Sequence, residues 1–453
     1  MAFIAPFRAV RYNQEKAGDI NEVVSPPYDV IDAQAQAALT ARNPHNMIRL
    51  DLSKNVKAEG MNSERYAGAA ELFAKWLEEK ILLREELPSF YLYEVDYRVP
   101  DGRVLTRRGF LGRVRLAEFS QGVVKPHEKT FAGVTSDRLK LLDACQAQFS
   151  PIFSLYSDPE GEVMELLEQA RSEEPLYRAA DQDGCEHRLW VVSDPEVLRR
   201  VQEEFREKAL YIADGHHRYT TALQYRALVR EREGKLDPDS AANHTMMYLC
   251  GMEDPGLSVL PTHRLLRLPG TRSADGVLAE LREDFLVEEI DTGSRESLLA
   301  ETFGRMADGL SAGQNTCFGF YHPGEDRCFL LTLKDGVMAR EASQRPPALQ
   351  ELDVVVLSDL IIDRLPDLDK SRCVQGDLID YFSDPDEALD VALKESRKSR
   401  QNGEALTPLL FLMNATRVEQ VRRVADEGLV MPHKSTFFYP KVLTGLAINP
   451  LRD

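Results

Sequence analysis

Two hairpin patterns, separated by helical stretches, constrain the fold of this chain more than any other feature of its sequence. The segment SFYLYEVDYRV is followed by Asp101 and Gly102 and then by RVLTRRGFLGRVRL, which predicts two antiparallel strands joined by a tight turn. The segment CFGFYHPGEDRCFLLTL predicts a second hairpin that turns near Gly324. Hairpins interspersed with helices favour an α+β fold with mixed or antiparallel sheets over a regular parallel α/β fold.

Helical spacing of apolar residues marks the segments between the hairpins. The segments PEVLRRVQEEFREK and TRVEQVRRVADEG predict helices, the second of which ends at Gly428. The polar stretch from Lys394 to Ala405 predicts a surface loop. One more amphipathic helix is predicted where apolar residues recur three and four positions apart, at Tyr66, Ala69, Ala70, Phe73 and Leu77.

The length of 453 residues allows two or three domains. We expect an N-terminal α+β part over residues 1–195 and a middle segment over residues 196–268 that holds a cluster of histidines. A C-terminal α+β part, residues 269–453, is expected to bring the segment MPHKSTFFYPK back to that cluster.

The charge balance limits the classes of partner. The net charge is −18, from 56 basic and 74 acidic residues, which argues against binding to nucleic acid or to an anionic membrane. The six cysteines are widely spaced, which is typical of reduced thiols in a cytosolic protein. No apolar run reaches the roughly 18 residues of a membrane span. We therefore expect a cytoplasmic protein without a membrane or nucleic-acid partner; the sequence leaves open assembly into a homo-oligomer.

The segment YIADGHHRYTTAL concentrates chemically useful side chains at one turn. A short apolar strand precedes Asp214, and a helical pattern follows Arg218. Gly215 allows a tight turn and a close approach of a ligand to the backbone. Arg218 adds a planar, permanently charged fork at a helix start, where backbone N–H groups are free. Strand, glycine, arginine and helix start together predict an anion site with Gly215 and Arg218 as contacts.

Several roles are open for the remaining groups of this turn. Asp214 could hold Mg²⁺ or accept a proton, and His216 could act as a general acid or base. His216 and His217 are adjacent, so we expect only one of them to point into the site. The alternatives are an aspartate that caps the helix beside two ordinary histidines, and a zinc site, for which no third ligand stands at a familiar spacing.

Two further segments carry groups suited to phosphate chemistry. The segment VKPHEKTFAG supplies His127, Glu128 and Thr130 in a predicted loop, where the histidine and glutamate could do acid–base work or the glutamate could hold Mg²⁺. A solvated loop without function is the alternative. The segment MPHKSTFFYPK offers amine and hydroxyl donors for a phosphate, or a plain surface loop. These donors are Lys434, Ser435, Thr436 and Lys441.

A phosphate loop of the Walker type is excluded for the last segment. Read from Gly428, the string GLVMPHKS has His433 where that motif requires its second glycine. The predicted helix also precedes the string instead of following it.

Seven segments in order resemble a widespread prokaryotic family of unknown function, whose members are sometimes labelled ParB-like. The resemblance extends from Pro6 to Leu451 and brings no established activity with it. It rests on APFRAVRY, VVSPPYDVI, KPHEKT, SPIFSLY, YIADGHHRYTTAL, VLPTHRLL and MPHKSTFFYPK.

The DGHHR turn is also similar to the phosphate-binding turn of the ParB and sulfiredoxin superfamily, to which an ADP-dependent free-serine kinase belongs. This resemblance implies a ParB/sulfiredoxin-like core around the turn, with Gly215, His216, His217 and Arg218 as phosphate contacts and Asp214 as their polar partner. The chain departs from ParB because it is acidic and lacks a basic helix-turn-helix region. It departs from sulfiredoxin because His217 stands where that enzyme needs a cysteine, which makes sulfinic-acid repair improbable.

These observations favour an enzyme of phosphoryl transfer or hydrolysis on a small phosphorylated metabolite. Mg²⁺ and a nucleotide, ADP or ATP, are the expected cofactors. Asp214, His216, His127 and Glu128 are the candidate catalytic residues. The resemblance implies serine or phosphoserine as the substrate class, and the direction, kinase or phosphatase, stays open. The alternatives are a nucleotide-responsive binding protein of ParB-like type without turnover, and a metal-dependent hydrolase or nuclease.

Overall fold

The chain folds into two compact units, one of which is discontinuous in sequence. The computed structural model describes residues 1–52, 62–99, 102–291, 293–311, 316–365, 378–402 and 406–452. The first unit contains Met1–Ser258 and Phe438–Asp453, and the second contains Val259–Phe437. The expected parts 1–195, 196–268 and 269–453 differ from this division, since residue 195 lies inside the first unit. The C-terminal segment does return to the first unit, from Phe438 onward.

A mixed sheet of nine strands forms the frame of the first unit. Its strand order is β6-β11-β8-β12-β5-β4-β10-β9, and β1 pairs with β5. The pairs β6/β11 and β8/β12 are parallel and the other pairs are antiparallel. These strands are β1 (Ile4–Ala5), β4 (Phe90–Arg98), β5 (Val104–Arg115), β6 (Val124–Lys125), β8 (Ile152–Tyr156), β9 (Tyr177–Ala180), β10 (Glu186–Val192), β11 (Leu210–Asp214) and β12 (His244–Gly251).

Shorter strands and nine helices complete the described part of the first unit. Two short ladders pair β2 (Val10–Tyr12) with β3 (Leu82–Arg84) and β7 (Ala147–Gln148) with β21 (Asn449–Pro450). The chain passes between the units through β13 (Ser258–Leu260) and β20 (Phe437–Tyr439). The helices are α1 (Gln14–Ala17), α2 (Ile20–Val23), α3 (Ala33–Arg42), α4 (Ile48–Asp51), α5 (Asn62–Glu78), α6 (Ala132–Cys145), α7 (Glu162–Ala170), α8 (Pro195–Glu204) and α9 (His216–Glu233).

The core of the first unit lies where α7, α8 and α9 cover one face of the sheet. Phe90, Phe110 and Leu249 from the central strands pack with Leu167 of α7 and Tyr219 of α9, all of them buried. The hydroxyl of Tyr219 donates to the carbonyl of Ala117 at 2.8 Å, which satisfies its polar end. This packing fixes the position of α9, and therefore of the turn that precedes it.

The second unit is built on an antiparallel sheet of six strands in the order β15-β17-β16-β19-β14-β18. The strands are β14 (His263–Pro269), β15 (Phe285–Ile290), β16 (Cys317–His322), β17 (Arg327–Leu333), β18 (Ile379–Phe382) and β19 (Leu406–Leu412). Its described helices are α10 (Ala274–Leu281), α11 (Arg295–Ser311), α12 (Val337–Glu341), α13 (Pro347–Gln350), α14 (Asp353–Leu357), α15 (Pro385–Asn402) and α16 (Val418–Asp426).

The predicted α+β class is confirmed, and so are both hairpins. β4 pairs with β5 and β16 with β17, each pair antiparallel. Gly428 follows α16 with a φ of +67°, as expected of a helix-ending glycine. Asp101 of the first predicted turn lies outside the described residues, and the ParB/sulfiredoxin-like core stays a prediction. Within the described ranges, no helix is both long and apolar enough to cross a bilayer.

The loop expected from Lys394 to Ala405 is wrong over most of its length, because α15 continues to Asn402. Lysine, glutamate, arginine and glutamine are good helix formers, so a polar run of them is compatible with a helix. Ala388, Leu389 and Ala392 bury the other face of this helix. Residues 403–405 lie outside the described part. Five of the six cysteines are buried free thiols, and Cys373 also lies outside it.

Candidate functional site

The DGHHR segment forms a strand, a glycine turn and a helix start, as its sequence predicts. β11 ends at Asp214, and α9 begins at His216. Gly215 between them has a φ of +96°, a backbone conformation that side chains disfavour. A Cβ on Gly215 would lie 2.8 Å from Nε of Arg218, so the guanidinium of Arg218 folds back over the turn. Only glycine leaves room for this arrangement.

Asp214 is held between two cations. Its Oδ2 accepts a hydrogen bond from Nη2 of Arg218, and its Oδ1 lies 2.7 Å from Nζ of Lys441. Burial opposes ionisation, but Lys441 and Arg218 outweigh burial and hold the pKa of Asp214 below its ordinary value. Asp214 is therefore a carboxylate with both oxygens engaged. Two predicted site residues, Arg218 and Lys441, meet here.

One nitrogen of the Arg218 guanidinium has no acceptor in the described part of the chain. Its Nη1 donates to the carbonyl of Pro151 and its Nη2 to Asp214, while its buried Nε has no hydrogen-bond partner among the described residues. Its side chain is 11% exposed. A buried guanidinium N–H without an acceptor is costly. A ligand oxygen that reached Nε would accept a hydrogen bond from it and remove this cost.

The predicted acid–base groups form a second cluster on the other side of the turn. Nε2 of His216 accepts a hydrogen bond from the backbone N–H of His127 at 3.2 Å. The proton of the neutral ring therefore sits on Nδ1, which lies 3.6 Å from Oε2 of Glu128. The rings of His127 and His216 meet edge to face with their centroids 4.6 Å apart. Sequence reasoning placed these three residues in one site, and they are neighbours.

Both of these histidines are neutral bases of low basicity. Burial lowers the pKa of His127 to about 4, although a hydrogen bond to the carbonyl of Ile212 opposes the change. Burial, with His127 as the next cause, lowers the pKa of His216 well below its ordinary value. At 3.6 Å the Nδ1 of His216 lies beyond hydrogen-bond distance of Glu128, so the uncharged ring is a polar neighbour of that carboxylate and not a cation beside it.

Two other predicted phosphate contacts, His217 and Thr130, have partners within the protein. Nε2 of His217 accepts from the backbone N–H of Phe131 at 3.0 Å, and the two rings are stacked. The hydroxyl oxygens of Thr130 and Thr220 are 3.5 Å apart. His217 thus ties the KPHEKT loop to α9, which orients Glu128 and Thr130 beside the turn.

Sequence reasoning missed a small opening behind Arg218. Its volume is about 60 Å³, and polar side chains from four separate segments line it: Tyr28, Asp51, Arg138 and Ser150, with Arg218. At roughly 10–15 Å³ for one water, this is room for about four waters or a small group. It is far below the roughly 300–1,000 Å³ of ligand pockets, so most of a larger ligand would lie outside it.

An ion pair organises the walls of this opening. Nη1 of Arg138 lies 2.9 Å from Oδ1 of Asp51, and its guanidinium carbon lies 4.4 Å from the centre of the Tyr28 ring. Burial raises the pKa of Asp51 although Arg138 and Arg218 act against it, and burial raises the pKa of Tyr28 to about 12. The segment VVSPPYDVI, which holds Tyr28, was the only advance sign of this wall. Asp51 and Arg138 stand in no motif.

Lys434, Ser435 and Thr436 belong to the second unit, unlike Lys441. Lys434 has a φ of +56°, and its carbonyl accepts from Nη2 of the buried Arg264 at 3.4 Å. Ser435 donates to the carbonyl of Pro432 at 2.6 Å. These contacts shape the loop inside its own unit, and Lys441 at the end of the segment pairs with Asp214 of the DGHHR turn.

The predicted Mg²⁺ ligands do not form a cation site by themselves. Asp214 has both oxygens in ion pairs, and Glu128 faces His216. Across the described ranges, no group of three or more histidine, cysteine, aspartate or glutamate side chains is arranged to hold a metal ion. Mg²⁺ prefers several oxygen ligands and commonly binds together with substrate phosphates. The protein side chains seen here do not supply that set.

A family model and several solved structures resemble the chain. The model of the family described as "Protein of unknown function (DUF1015)" matches residues 4–355. No protein of curated function matches at a significant level. A free serine kinase in complex with AMP is 14% identical, covering 73% of this chain and 90% of its own, with a TM-score of 0.32.

Two other structures have similar scores. A conserved hypothetical protein from Pyrococcus furiosus is 13% identical, covering 74% of this chain and 94% of its own, with a TM-score of 0.31. A C-terminally truncated SbnI from Staphylococcus aureus is 10% identical, covering 75% of this chain and 87% of its own, with a TM-score of 0.33.

Proposed function

This chain belongs to the DUF1015 family of proteins of unknown function, and we propose that its first unit binds the phosphates of a nucleotide or phosphorylated metabolite and catalyses phosphoryl transfer or hydrolysis. The observation that carries the proposal is the convergence of separate segments on one guanidinium. Arg218 lines the opening together with Tyr28 and Asp51, and it also pairs with Asp214, whose other oxygen is held by Lys441.

The electrostatics of the turn suit an oxyanion. The first N–H groups of α9 have no intrahelical partner, and the positive end of the helix dipole adds about 0.3–1 kcal/mol for an anion. Hydrogen bonds to a charged group contribute about 1.5–3 kcal/mol each. Arg218 and Lys441 supply two such donors, and Nε of Arg218 has no other acceptor in the described chain. A phosphate is the ligand class that uses all of them.

Asp214 takes the place of that anion while no ligand is bound. Its carboxylate draws Arg218 and Lys441 together, as a phosphate oxygen pair would. Binding then exchanges one anion for another between the same two cations, so the cations never stay buried without a counter-charge. Because the ligand must displace Asp214, the affinity for the ligand depends on the strength of the ion pairs that Asp214 makes with Arg218 and Lys441.

Glu128 is the proposed general base. Its carboxylate lies 3.6 Å from Nδ1 of His216, the ring nitrogen that carries the proton. A hydroxyl of the acceptor, or a water, gives its proton to Glu128. The oxygen of that hydroxyl or water forms the new P–O bond while the bond from phosphorus to the leaving oxygen breaks. Arg218 and Lys441 stabilise charge on the transferred group, and Thr130 adds a hydroxyl donor. Serine and phosphoserine are the first acceptors and donors to test.

Phosphorus-31 NMR tests this proposal against its nearest rival. The full chain is incubated with ADP or ATP and Mg²⁺, with serine, phosphoserine or water as the second substrate. The proposal expects a new phosphorus signal that Glu128→Gln abolishes while nucleotide affinity stays within twofold, and that the exposed Glu118→Gln leaves unchanged.

A nucleotide-responsive binding protein is the second candidate. It is favoured by the absence of a preformed metal group among the described residues and by the full engagement of Asp214. In that case nucleotide binds and depends on Arg218, but no phosphorus signal changes with any acceptor. That result would reject the enzyme and retain the anion site.

A further inference from the structure

A second cavity lies wholly within the second unit, at the end of its sheet. Its volume is about 430 Å³, within the roughly 300–1,000 Å³ of pockets that hold small molecules. The end of β17, the start of α12, and the turn between β19 and α16 surround it. Buried Val337 and Met338, together with Leu333, give it an apolar side.

A carboxylate forms one polar end of this cavity. Asp353 begins α14, and its Oδ2 accepts a hydrogen bond from Nδ2 of Asn414 at 2.7 Å. The same Asn414 nitrogen donates to the carbonyl of Cys317 at 2.7 Å, which fixes the amide. Among the described residues Asp353 makes no ion pair. Burial raises the pKa of Asp353, although hydrogen bonds from Asn414 and Thr316 and the nearby charge of Arg417 oppose the change, so an additional cation from the ligand would stabilise the carboxylate.

A cationic rim forms the other polar end. Arg417 immediately precedes α16, and its exposed guanidinium makes no ion pair with a described residue. Glu351, which also lines the cavity, is engaged instead by Arg423 at 2.6 Å. Lys334 adds a second positive charge, held in place by the carbonyls of Arg282 and Glu283. The first turn of α16, a helix of nine residues, favours an anion at the same place.

We propose that this cavity binds a small zwitterion of the α-amino-acid class, with its ammonium on Asp353 and its carboxylate at Arg417 and the start of α16. The lining combines a carboxylate, two cations and apolar side chains, and this combination matches a molecule that carries both charges and a compact side chain. This site is separate from the phosphate site and does not depend on it.

Isothermal titration calorimetry with the full chain and the twenty standard amino acids tests the proposal. At least one amino acid should bind with one site per chain. Its N-acetyl derivative and its methyl ester should each bind at least tenfold more weakly, since each removes one charge. Asp353→Asn and Arg417→Ala should each weaken binding at least tenfold, while Arg422→Ala, an exposed arginine on the same helix, should change it less than twofold.

Three results would overturn the proposal. One is that no amino acid binds. Another is that the N-acetyl derivative and the methyl ester bind the native chain as tightly as the amino acid does, or that Arg417→Ala binds the amino acid as tightly as the native chain does. Arg417 is exposed, so its variant tests the site even if Asp353→Asn folds poorly. The third is that Arg218→Ala abolishes binding while Asp353→Asn preserves it, which would assign the amino acid to the first unit.

Discussion

Lys441 lies 227 residues beyond Asp214 in sequence, and its ammonium is 2.7 Å from the Oδ1 of that aspartate. Arg218 takes the other oxygen of the same carboxylate. The C-terminal segment thus contributes a charged group to a turn that is formed by a distant strand and helix. The pairing of β21 with β7 holds the same end of the chain on the first unit.

Replacing the carboxylate tests whether Asp214 stands in for a bound anion. Asp214→Asn leaves Arg218 and Lys441 without their counter-charge, which should lower the free energy of unfolding by about 3–5 kcal/mol in a buffer without multivalent anions. The same variant should bind inorganic phosphate more tightly than the native chain, because no internal anion competes. Chemical denaturation and phosphate titration measure the two effects.

Asp143→Asn is the matched control, since Asp143 pairs with Arg232 at 2.6 Å on the exposed part of α9. It should change neither quantity appreciably. If Asp214→Asn lost stability but bound phosphate no better than the native chain, the carboxylate would be a purely structural partner of the two cations.

Alanine substitutions at the two glycines that flank α9 distinguish the effect of backbone strain from the loss of the anion site. Gly215 and Gly234 both have positive φ, but a Cβ meets the Arg218 guanidinium only at Gly215 and open space at Gly234. Alanine should cost about 1–2 kcal/mol of stability at Gly215, which has left-handed helical backbone angles, and at least as much at Gly234. Only Gly215→Ala should also weaken phosphate binding, by at least tenfold, since it pushes the guanidinium aside. Equal affinities in the two variants would show that Arg218 does not contact the ligand.

The buried histidines predict a loss of stability in mild acid. The pKa of His127 is about 4 in the folded chain against an ordinary 6.5, so the unfolded chain takes up a proton in this range that the folded chain does not. The stabilisation is fully present above pH 6.5 and is lost as the pH falls towards 4, at up to about 1.4 kcal/mol per pH unit for one proton.

His127→Gln should make this pH dependence shallower by up to one proton. Urea unfolding at half-unit steps from pH 7 to pH 4 measures the slope, which is informative even if the variant is less stable throughout. An unchanged slope would mean that His127 is protonated in the folded chain as readily as in the unfolded one.

Local patterns were sufficient to predict the elements that carry the turn. The alternation around β4 and β5 and the strand, glycine and helix order at Asp214 depend on neighbours in sequence, and both are as predicted. The polar run that ends α15 was misassigned, because good helix formers on an exposed face have no apolar periodicity of their own.

The partners across the site were not predictable in the same way. Arg138 and Asp51 are 87 residues apart, and no spacing rule relates them. Lys434 and Lys441 lie in one short segment and are equally suited to bind a phosphate, yet the unit boundary falls between them at Phe437. Such pairings are decided by how the sheet and the helices pack, which a single sequence does not display.

The most direct measurement of the central claim is calorimetric titration of ADP, ATP and inorganic phosphate into the native chain, Arg218→Ala and Arg230→Ala. Arg230 is an exposed arginine on the same helix. The account predicts binding of at least one of these ligands, weakened at least tenfold by Arg218→Ala and less than twofold by Arg230→Ala. Binding of none of them to the native chain, or binding that Arg218→Ala leaves unchanged, would contradict it.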